Sequence, residues 1–161
     1  MDTRELRNCL GKFATGVTVV TWYGDDGERY GVTVNAFTSV SLDPPLVLVS
    51  IDCKARACSA LKGRNFVVNV LSHNQEKEAW QFAGRSQPDL QLEWDDALQG
   101  PKIKNALAHF ECEPWREYEG GDHTLYLGKV AKFSSTDKEG LVFFKGKFSR
   151  TNNMDEETMK N

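Results

Sequence analysis

The first segment of the chain carries one apolar stripe with helical spacing. Its members recur at i, i+3, i+4 and i+7: Leu6, Cys9, Leu10 and Phe13. Residues at this spacing share one face of an α-helix. Asp2 or Thr3 can cap the start, and a Glu5 carboxylate lies where it can reach back to the N–H of Asp2. We predict a helix that ends at Gly16, because glycine favours the position just after a helix.

Segments rich in β-branched and aromatic residues follow this helix. They predict strands at residues 17–23, 30–34, 46–51, 66–71, 107–118, 124–133 and 141–148. The runs at 46–51 and 66–71 are continuously apolar, which is typical of strands covered on both faces. Pro114 indicates an edge strand or a bulge, and Gly128 marks a predicted bulge. In the last strand, Val142, Phe144 and Phe148 are expected on one face.

Two further short helices complete the predicted elements. They cover residues 55–61 and 76–83, with Ala79, Trp80 and Ala83 of the second facing inward. Residues 85–105 show no clear period and predict a long ordered loop. Roughly six to eight strands joined by hairpins, with about three short helices, favour a mainly β, antiparallel, Greek-key-like barrel with helices outside. We expect one domain over residues 1–151 and a polar tail over 152–161.

Composition and charge argue against several classes of protein. The 161 residues hold 23 acidic and 20 basic side chains, a net charge of −3 that argues against a nucleic-acid binder. No apolar run approaches the roughly 20 residues of a membrane span, and residues 1–5 do not open a signal peptide. The four cysteines form no C-x-x-C pair, so we expect reduced thiols, several of them buried, in a cytoplasmic protein.

Side-chain motifs for catalysis are scarce in this sequence. It has no G-x-S-x-G, no H-E-x-x-H, no P-loop and no G-x-G-x-x-G after a strand. His73, His109 and His123 are far apart in the chain, so we predict no metal site. A chain with so few catalytic signatures is expected to take its chemistry from a cofactor.

An ordered set of motifs then indicates a family. They are Phe13–Thr21, Gly31–Phe37, Ser39–Val47, Phe66–Leu71, Gly121–His123 and Phe143–Phe148. In this order, across about residues 5–150, they resemble the short-chain flavin reductase family, the reductase components of two-component flavin monooxygenases. The resemblance implies a split β-barrel that binds FMN or FAD, usually as a homodimer.

The resemblance also assigns flavin-binding residues. Ring contacts are implied for Thr33, Val34, Asn35 and Ala36, at a strand end whose backbone groups can meet the polar edge of an isoalloxazine. From the residues alone, Asn35 in a turn is the simpler interpretation. Three residues of the segment after the next strand, Ser50, Lys54 and Arg56, are implied as phosphate anchors, with Ile51 beside them.

Further contacts follow from the same resemblance. Many relatives carry Ser and Thr hydroxyls just after the lysine, whereas Ala57 and Cys58 stand here, which leaves FMN and FAD both open. The segment Phe82-Ala83-Gly84 approaches the flavin, although Phe82 as an ordinary core aromatic is the alternative. His123, otherwise a plain strand end, is the implied catalytic residue beside the nicotinamide. Phe148 and Arg150 are expected to complete the nicotinamide pocket.

The implied activity is that of an NAD(P)H:flavin oxidoreductase. Hydride passes from nicotinamide C4 of NADH or NADPH to flavin N5, and the reduced FMN or FAD supplies a partner monooxygenase. Two alternatives stay open at this point. One is an electron carrier or metal-ion reductase with permanently bound flavin, and the other is a non-catalytic flavin-binding module.

Overall fold

Antiparallel strands form most of the structure, a computed structural model that describes residues 1–154. Its three helices are α1 (Thr3–Leu10), α2 (Arg56–Ala60) and α3 (Glu76–Gln81). Its strands are β1 (Thr15–Gly16), β2 (Thr18–Tyr23), β3 (Arg29–Val34), β4 (Phe37–Leu42), β5 (Pro45–Asp52), β6 (Phe66–Val70), β7 (Trp94–Ala97), β8 (Gly100–Ile103), β9 (Ala108–Gly120), β10 (His123–Ser135), β11 (Leu141–Phe144) and β12 (Lys147–Arg150). Within residues 1–154, none of the helices is long and apolar enough to cross a membrane.

Seven strands make one sheet in the order β3-β2-β6-β9-β10-β5-β4. Strands β3 and β4 are therefore at opposite edges, although only Asn35 and Ala36 join them. A two-residue link cannot span a flat sheet of this width, because strands lie about 4.8 Å apart. The sheet must curl until its edges meet, so the predicted antiparallel barrel is confirmed. Two smaller sheets flank it, β1-β11-β12 and the β7-β8 pair.

The core lies on both faces of β2. Val20 packs in one apolar cluster with Val49 and Val68, and Val19 packs in a second cluster with Leu71 and Ile103. Successive side chains of a strand point to opposite faces, which explains the division. The second cluster also holds Ala79 of α3 and Leu141 of β11. The second cluster therefore packs α3 and the β1-β11-β12 sheet against the barrel.

A buried asparagine connects the core strands to the β7-β8 hairpin. Asn69 of β6 donates to Val19 O at 2.8 Å and to Thr21 Oγ1 at 2.9 Å, and its Oδ1 accepts from Ile103 N at 2.8 Å. The Nε2 atom of His109 lies 2.7 Å from Ile103 O. Burial lowers the pKa of His109, so the neutral imidazole is favoured here. These polar contacts have structural rather than catalytic roles.

Several predicted elements are confirmed. Asp2 caps α1 by accepting from the N–H groups of Arg4 and Glu5. Strand β6 is buried, and both short helices form close to their predicted bounds. The register of β9 against β10 shifts between Leu127 and Gly128, where Gly128 pairs with Pro114. The predicted bulge is therefore present.

The predicted end of the first helix is wrong. α1 ends at Leu10, with Gly11 as its C-cap, and Gly16 pairs with Val142 in a strand. The apolar stripe of the helix is not buried, because the exposed fractions of Leu6, Leu10 and Phe13 are 44%, 66% and 78%. Gly11, rather than Gly16, caps the helix, because the Gly11 N–H donates to the free carbonyl group of Arg7 in the last turn.

Two segments differ from their predicted conformations. Residues 85–105 contain the β7-β8 hairpin, which is held by long-range contacts such as the Arg29–Asp96 ion pair at 2.9 Å. The predicted strand 141–148 is two strands joined by Lys145 and Gly146, whose φ angles of 51° and 74° reverse the chain. Phe148 therefore pairs with Phe143 instead of sharing a strand face with Phe144. The total of six to eight strands was accordingly too low.

Smaller corrections concern single residues. Ala83 lies beyond α3 and is exposed. Of the four free cysteines only Cys112 is buried, and burial raises its pKa to about 12, whereas Cys9 and Cys53 are exposed. Most of the predicted polar tail, residues 155–161, falls outside the described part of the chain.

Substitution of Gly128 by alanine is expected to destabilise the barrel. An added Cβ would lie 2.6 Å from Phe66 Cζ and 2.8 Å from Cys112 Cβ, so buried groups would have to shift. We expect a loss of about 1–3 kcal/mol in the free energy of unfolding, measured by urea denaturation. Gly16→Ala is the matched control, since its Cβ would have no neighbour within 4 Å. Equal stability of the two variants would contradict this account of the bulge.

Candidate functional site

A cavity of about 210 Å³ opens where α3, β3 and the β11-β12 hairpin meet. We call it the aromatic cavity. Its lining residues are Val17, Thr33, Asn35, Ala79, Trp80, Ala83, Phe143, Gly146 and Phe148. Four of the sequence-predicted site residues are thus brought together: Thr33, Asn35, Ala83 and Phe148. Most of the wall is apolar, and Thr33 and Asn35 supply polar side chains.

Aromatic rings form one side of this cavity. The ring of Phe148 meets Trp80 edge-on, with centroids 5.1 Å apart and planes at 81°. The ring centroid of Phe143 lies 5.5 Å from that of Phe148. The Arg85 guanidinium stacks 4.5 Å from the Trp80 ring centroid. Mutual packing restricts these rings, so the cavity presents a rigid apolar surface to a planar ligand.

Thr33 fixes the position of α3 relative to β3. Its hydroxyl donates to Ala79 O at 2.6 Å, and its backbone N–H donates to Phe82 O at 3.0 Å. The Phe82 ring packs edge-on against Trp94 at 6.1 Å, and Gly31 leaves space for it. The side chain of Phe82 is therefore a core aromatic, as the alternative interpretation expected. Its carbonyl group helps to hold the wall of the cavity.

A second group of predicted residues gathers at the end of β5. Ser50 N donates to Ala36 O at 3.0 Å, which joins this strand to the β3-β4 link. His123, the first residue of β10, pairs with Asp52. Lys54 lies two residues after Asp52 in the chain, and its side chain is exposed. The chain thus runs continuously from Asn35 in the aromatic cavity to Ser50, although Lys54 itself does not line that cavity.

His123 is oriented by its neighbour. Its Nδ1 lies 2.7 Å from Asp122 Oδ1. This hydrogen bond lowers the pKa of Asp122, and the positive charge of Lys54 contributes in the same direction. Cys53 N also donates to Asp122 O at 2.9 Å, which holds the β9-β10 turn against the end of β5. The imidazole and the lysine therefore share one solvent-exposed edge with the carboxylates of Asp52 and Asp122.

Some predicted residues lie apart from both groups. The side chains of Val34 and Ile51 are buried in the barrel, leaving only their backbone for a ligand. The Arg56 guanidinium lies 5.7 Å from the Tyr30 ring centroid, over a different surface cavity. Arg150 pairs with Glu139, its Nε 2.7 Å from the carboxylate. Gly84 is exposed with a φ of 90° and is outside the lining of the aromatic cavity.

Five lining residues are not among the predicted site residues: Val17, Ala79, Trp80, Phe143 and Gly146. For Phe143 and Gly146 the Lys145-Gly146 dipeptide is the signal in the sequence, because it marks the turn that brings Phe143 and Phe148 together. Across residues 1–154 no cluster of three or more His, Cys, Asp or Glu side chains is arranged to hold a metal ion.

A family model described as "Flavin reductase like domain" matches residues 10–152. The chain belongs to this flavin reductase family. A curated relative, the "NADH-dependent FAD reductase" of Streptomyces globisporus, is 44% identical over 158 residues, covering 92% of this chain and 86% of the relative. The reductase component of a 4-nitrophenol 4-monooxygenase/4-nitrocatechol 2-monooxygenase from Rhodococcus opacus is 35% identical over 153 residues, covering 92% and 80%.

A solved flavin reductase structure has the same fold. The NADH:FAD oxidoreductase SgcE6 of Streptomyces globisporus, in complex with NAD and FAD fragments, superimposes with a TM-score of 0.88. It is 41% identical in sequence, and the match covers 96% of each chain. The split β-barrel implied by the motifs is therefore confirmed, and so is the family to which they were assigned.

Proposed function

We propose that this chain is an NAD(P)H-dependent flavin reductase that supplies reduced FMN or FAD to a monooxygenase. The observation that carries the proposal is the aromatic cavity, because it unites Thr33, Asn35, Ala83 and Phe148 beside the exposed β3-β4 link. The names of the relatives, an NADH-dependent FAD reductase and a monooxygenase reductase component, favour this function over an electron carrier or a non-catalytic module.

The residues present fit a flavin. Apolar and aromatic walls suit the isoalloxazine ring. The Asn35 amide suits its heteroatom edge, whereas both donors of Thr33 are already bonded to the carbonyl groups of Ala79 and Phe82. A cavity of 210 Å³ is smaller than the roughly 300–1,000 Å³ of most ligand sites, so it would hold the ring system and leave the tail outside. Flavin bound there would supply the two-electron chemistry by accepting hydride from NAD(P)H.

The tail is proposed to follow the second group of residues. From Asn35 and Ala36 it would pass Ser50 toward Lys54, whose exposed ammonium suits a phosphate. His123, held by Asp122, would donate a hydrogen bond or charge to the bound nucleotide. Contributions from Val34, Ile51 and Gly84 would come from the backbone. Those from Arg56 and Arg150 require these side chains to leave Tyr30 and Glu139, respectively.

A turnover assay tests the proposed function. The purified protein is first titrated with riboflavin, FMN and FAD, and loss of NADH or NADPH absorbance is then followed with each flavin. We expect oxidation of at least one nicotinamide nucleotide, with flavin that is lost on dialysis. Flavin retained through dialysis would favour the prosthetic-group alternative. A folded protein that oxidises neither nucleotide with any flavin would overturn the proposal.

Removal of the Lys54 charge tests the phosphate anchor. We expect Lys54→Ala to weaken FMN binding about tenfold, with little effect on riboflavin, because only FMN carries a phosphate. Lys62→Ala is a matched control, since Lys62 is an exposed lysine that pairs with Glu117 at 3.9 Å, away from both groups. Dissociation constants come from fluorescence titration. Equal weakening of FMN and riboflavin would argue against a phosphate contact at Lys54.

A homodimer is part of the proposal. The small cavity leaves much of a bound nucleotide uncovered, and exposed apolar side chains on α1, Leu6 and Leu10, suit a protein interface. The domain proposed to dimerise covers residues 1–151. The cysteines of this domain are free thiols, which favours a cytoplasmic location. Sedimentation velocity is expected to give the mass of two chains. A fully active monomer at assay concentration would contradict the dimer.

A further inference from the structure

Two free cysteines, Cys53 and Cys58, contact the same hydroxyl group. The Sγ atom of Cys53 lies 3.6 Å from Thr124 Oγ1, and the Sγ atom of Cys58 lies 3.4 Å from that oxygen. Burial raises the pKa of Tyr126, and Glu117 and both thiols add to the rise, so both sulfur atoms also lie near one phenol. We call Cys53 and Cys58 the thiol pair. The fold thus brings together two thiols that form no C-x-x-C motif in the sequence.

Hydrogen bonds hold both members of the thiol pair against β10 and the turn before it. Cys53 N donates to Asp122 O at 2.9 Å, and the Tyr126 hydroxyl donates to the carbonyl group of Cys58. Cys58 N also donates to Ala55 O at 3.1 Å in the first turn of α2. The two sulfur atoms are therefore neighbours because the backbone of each residue is fixed, and not because two mobile side chains happen to meet.

The two members of the thiol pair differ in their exposure. Cys53 is exposed and Cys58 is half-buried. An accessible thiol can react with an oxidant from solution, and the sulfenic acid that forms condenses with a second thiol close by. Cys53 is the accessible thiol and Cys58 is the thiol close by, so the pair meets both requirements. Cys9 on α1 is also exposed, which makes it a matched comparison for Cys53.

A bond within the thiol pair would enclose Lys54. The segment between the two cysteines holds this lysine and the start of α2, a helix of five residues. Its N-cap, Ala55, makes no side-chain hydrogen bond. Sulfur atoms that now share an oxygen neighbour must approach to about 2.05 Å to bond. The uncapped first turn of α2 yields most easily to this approach, and its shift displaces Lys54.

We propose that Cys53 and Cys58 form a reversible disulfide bond in response to peroxide, and that this bond weakens the binding of a flavin phosphate at Lys54. The disulfide itself is independent of the proposed function, whereas its effect on the phosphate rests on that function. Free reduced flavin reacts with dioxygen to give hydrogen peroxide, so the oxidant is a by-product of the proposed reaction. Reductase activity that outruns a monooxygenase would thus lower the affinity of the chain for its flavin.

The oxidation has two steps. The Cys53 thiolate attacks one oxygen of hydrogen peroxide, the O–O bond breaks, and the leaving hydroxide takes up a proton to become water. The Cys58 sulfur then attacks the sulfenic acid of Cys53, the S–O bond breaks, and a second water leaves. The two thiols together give up two protons and two electrons, and one peroxide is reduced to two waters. A thiol reductant returns both cysteines to their starting state.

Peptide mapping tests the disulfide. Native protein is treated with a small molar excess of hydrogen peroxide, and the remaining thiols are then blocked. Trypsin cleaves after Lys54 and Arg56, so the disulfide gives one linked pair of peptides that dithiothreitol separates. We expect this linked pair in the wild-type protein and in Cys9→Ser. In Cys58→Ser the sulfenic acid of Cys53 is expected to persist and to react with a 1,3-dione probe.

Flavin binding tests the consequence of the disulfide. Fluorescence titration is expected to show an affinity for FMN about tenfold lower after oxidation and restored by dithiothreitol. Riboflavin binding should change little, because riboflavin carries no phosphate. Cys53→Ser, treated with peroxide in the same way, should bind FMN as the untreated variant does.

Several results would overturn the inference. They are a thiol pair that stays reduced, that links to a second chain, or whose members are oxidised separately in the native wild-type protein. A disulfide that forms but leaves FMN affinity unchanged would do the same. Failure of the proposed function is recognised separately, by a reduced wild-type protein that binds no flavin, and the peptide map still decides whether the disulfide forms.

Discussion

Strands β3 and β4 lie at opposite edges of a seven-stranded sheet although only Asn35 and Ala36 separate them along the chain. This short link requires the sheet to curl, and the hydrogen bond from Ser50 N to Ala36 O joins its edges. The same two residues then connect the aromatic cavity to the end of β5. The closure of the barrel and the position of the candidate site therefore have one physical cause.

The walls of the site depend on contacts between elements that are distant in sequence. Thr33 is bonded to the carbonyl groups of Ala79 and Phe82, which fixes α3 over the strand end. The β11-β12 hairpin contributes Phe143 and Phe148 from the opposite side. The arrangement supplies a rigid apolar surface and backbone hydrogen-bonding groups. Such a site positions a reactive ring rather than performing proton chemistry of its own.

Charges of both signs lie at the end of β5. The Lys54 ammonium and the His123 imidazole lie beside the carboxylates of Asp52 and Asp122. A phosphate at this edge would be attracted by the Lys54 ammonium itself rather than by a broad positive surface. Salt is expected to weaken this attraction, because the groups concerned are largely exposed.

Local patterns in the sequence determined much of the fold. The Asp2 cap, the β-branched run of β2 and the bulge at Gly128 depend on neighbouring residues. The family resemblance predicted Thr33, Asn35 and Phe148 as site residues, and the three line one cavity. Only the tertiary structure decided which distant groups meet. It put Arg56 over Tyr30, bound Arg150 to Glu139 and ordered the 94–103 hairpin through Arg29 and Asp96. The periodicity of a segment predicts which of its faces is buried. These pairings instead join residues up to 67 positions apart in the chain, and no local pattern predicts such contacts.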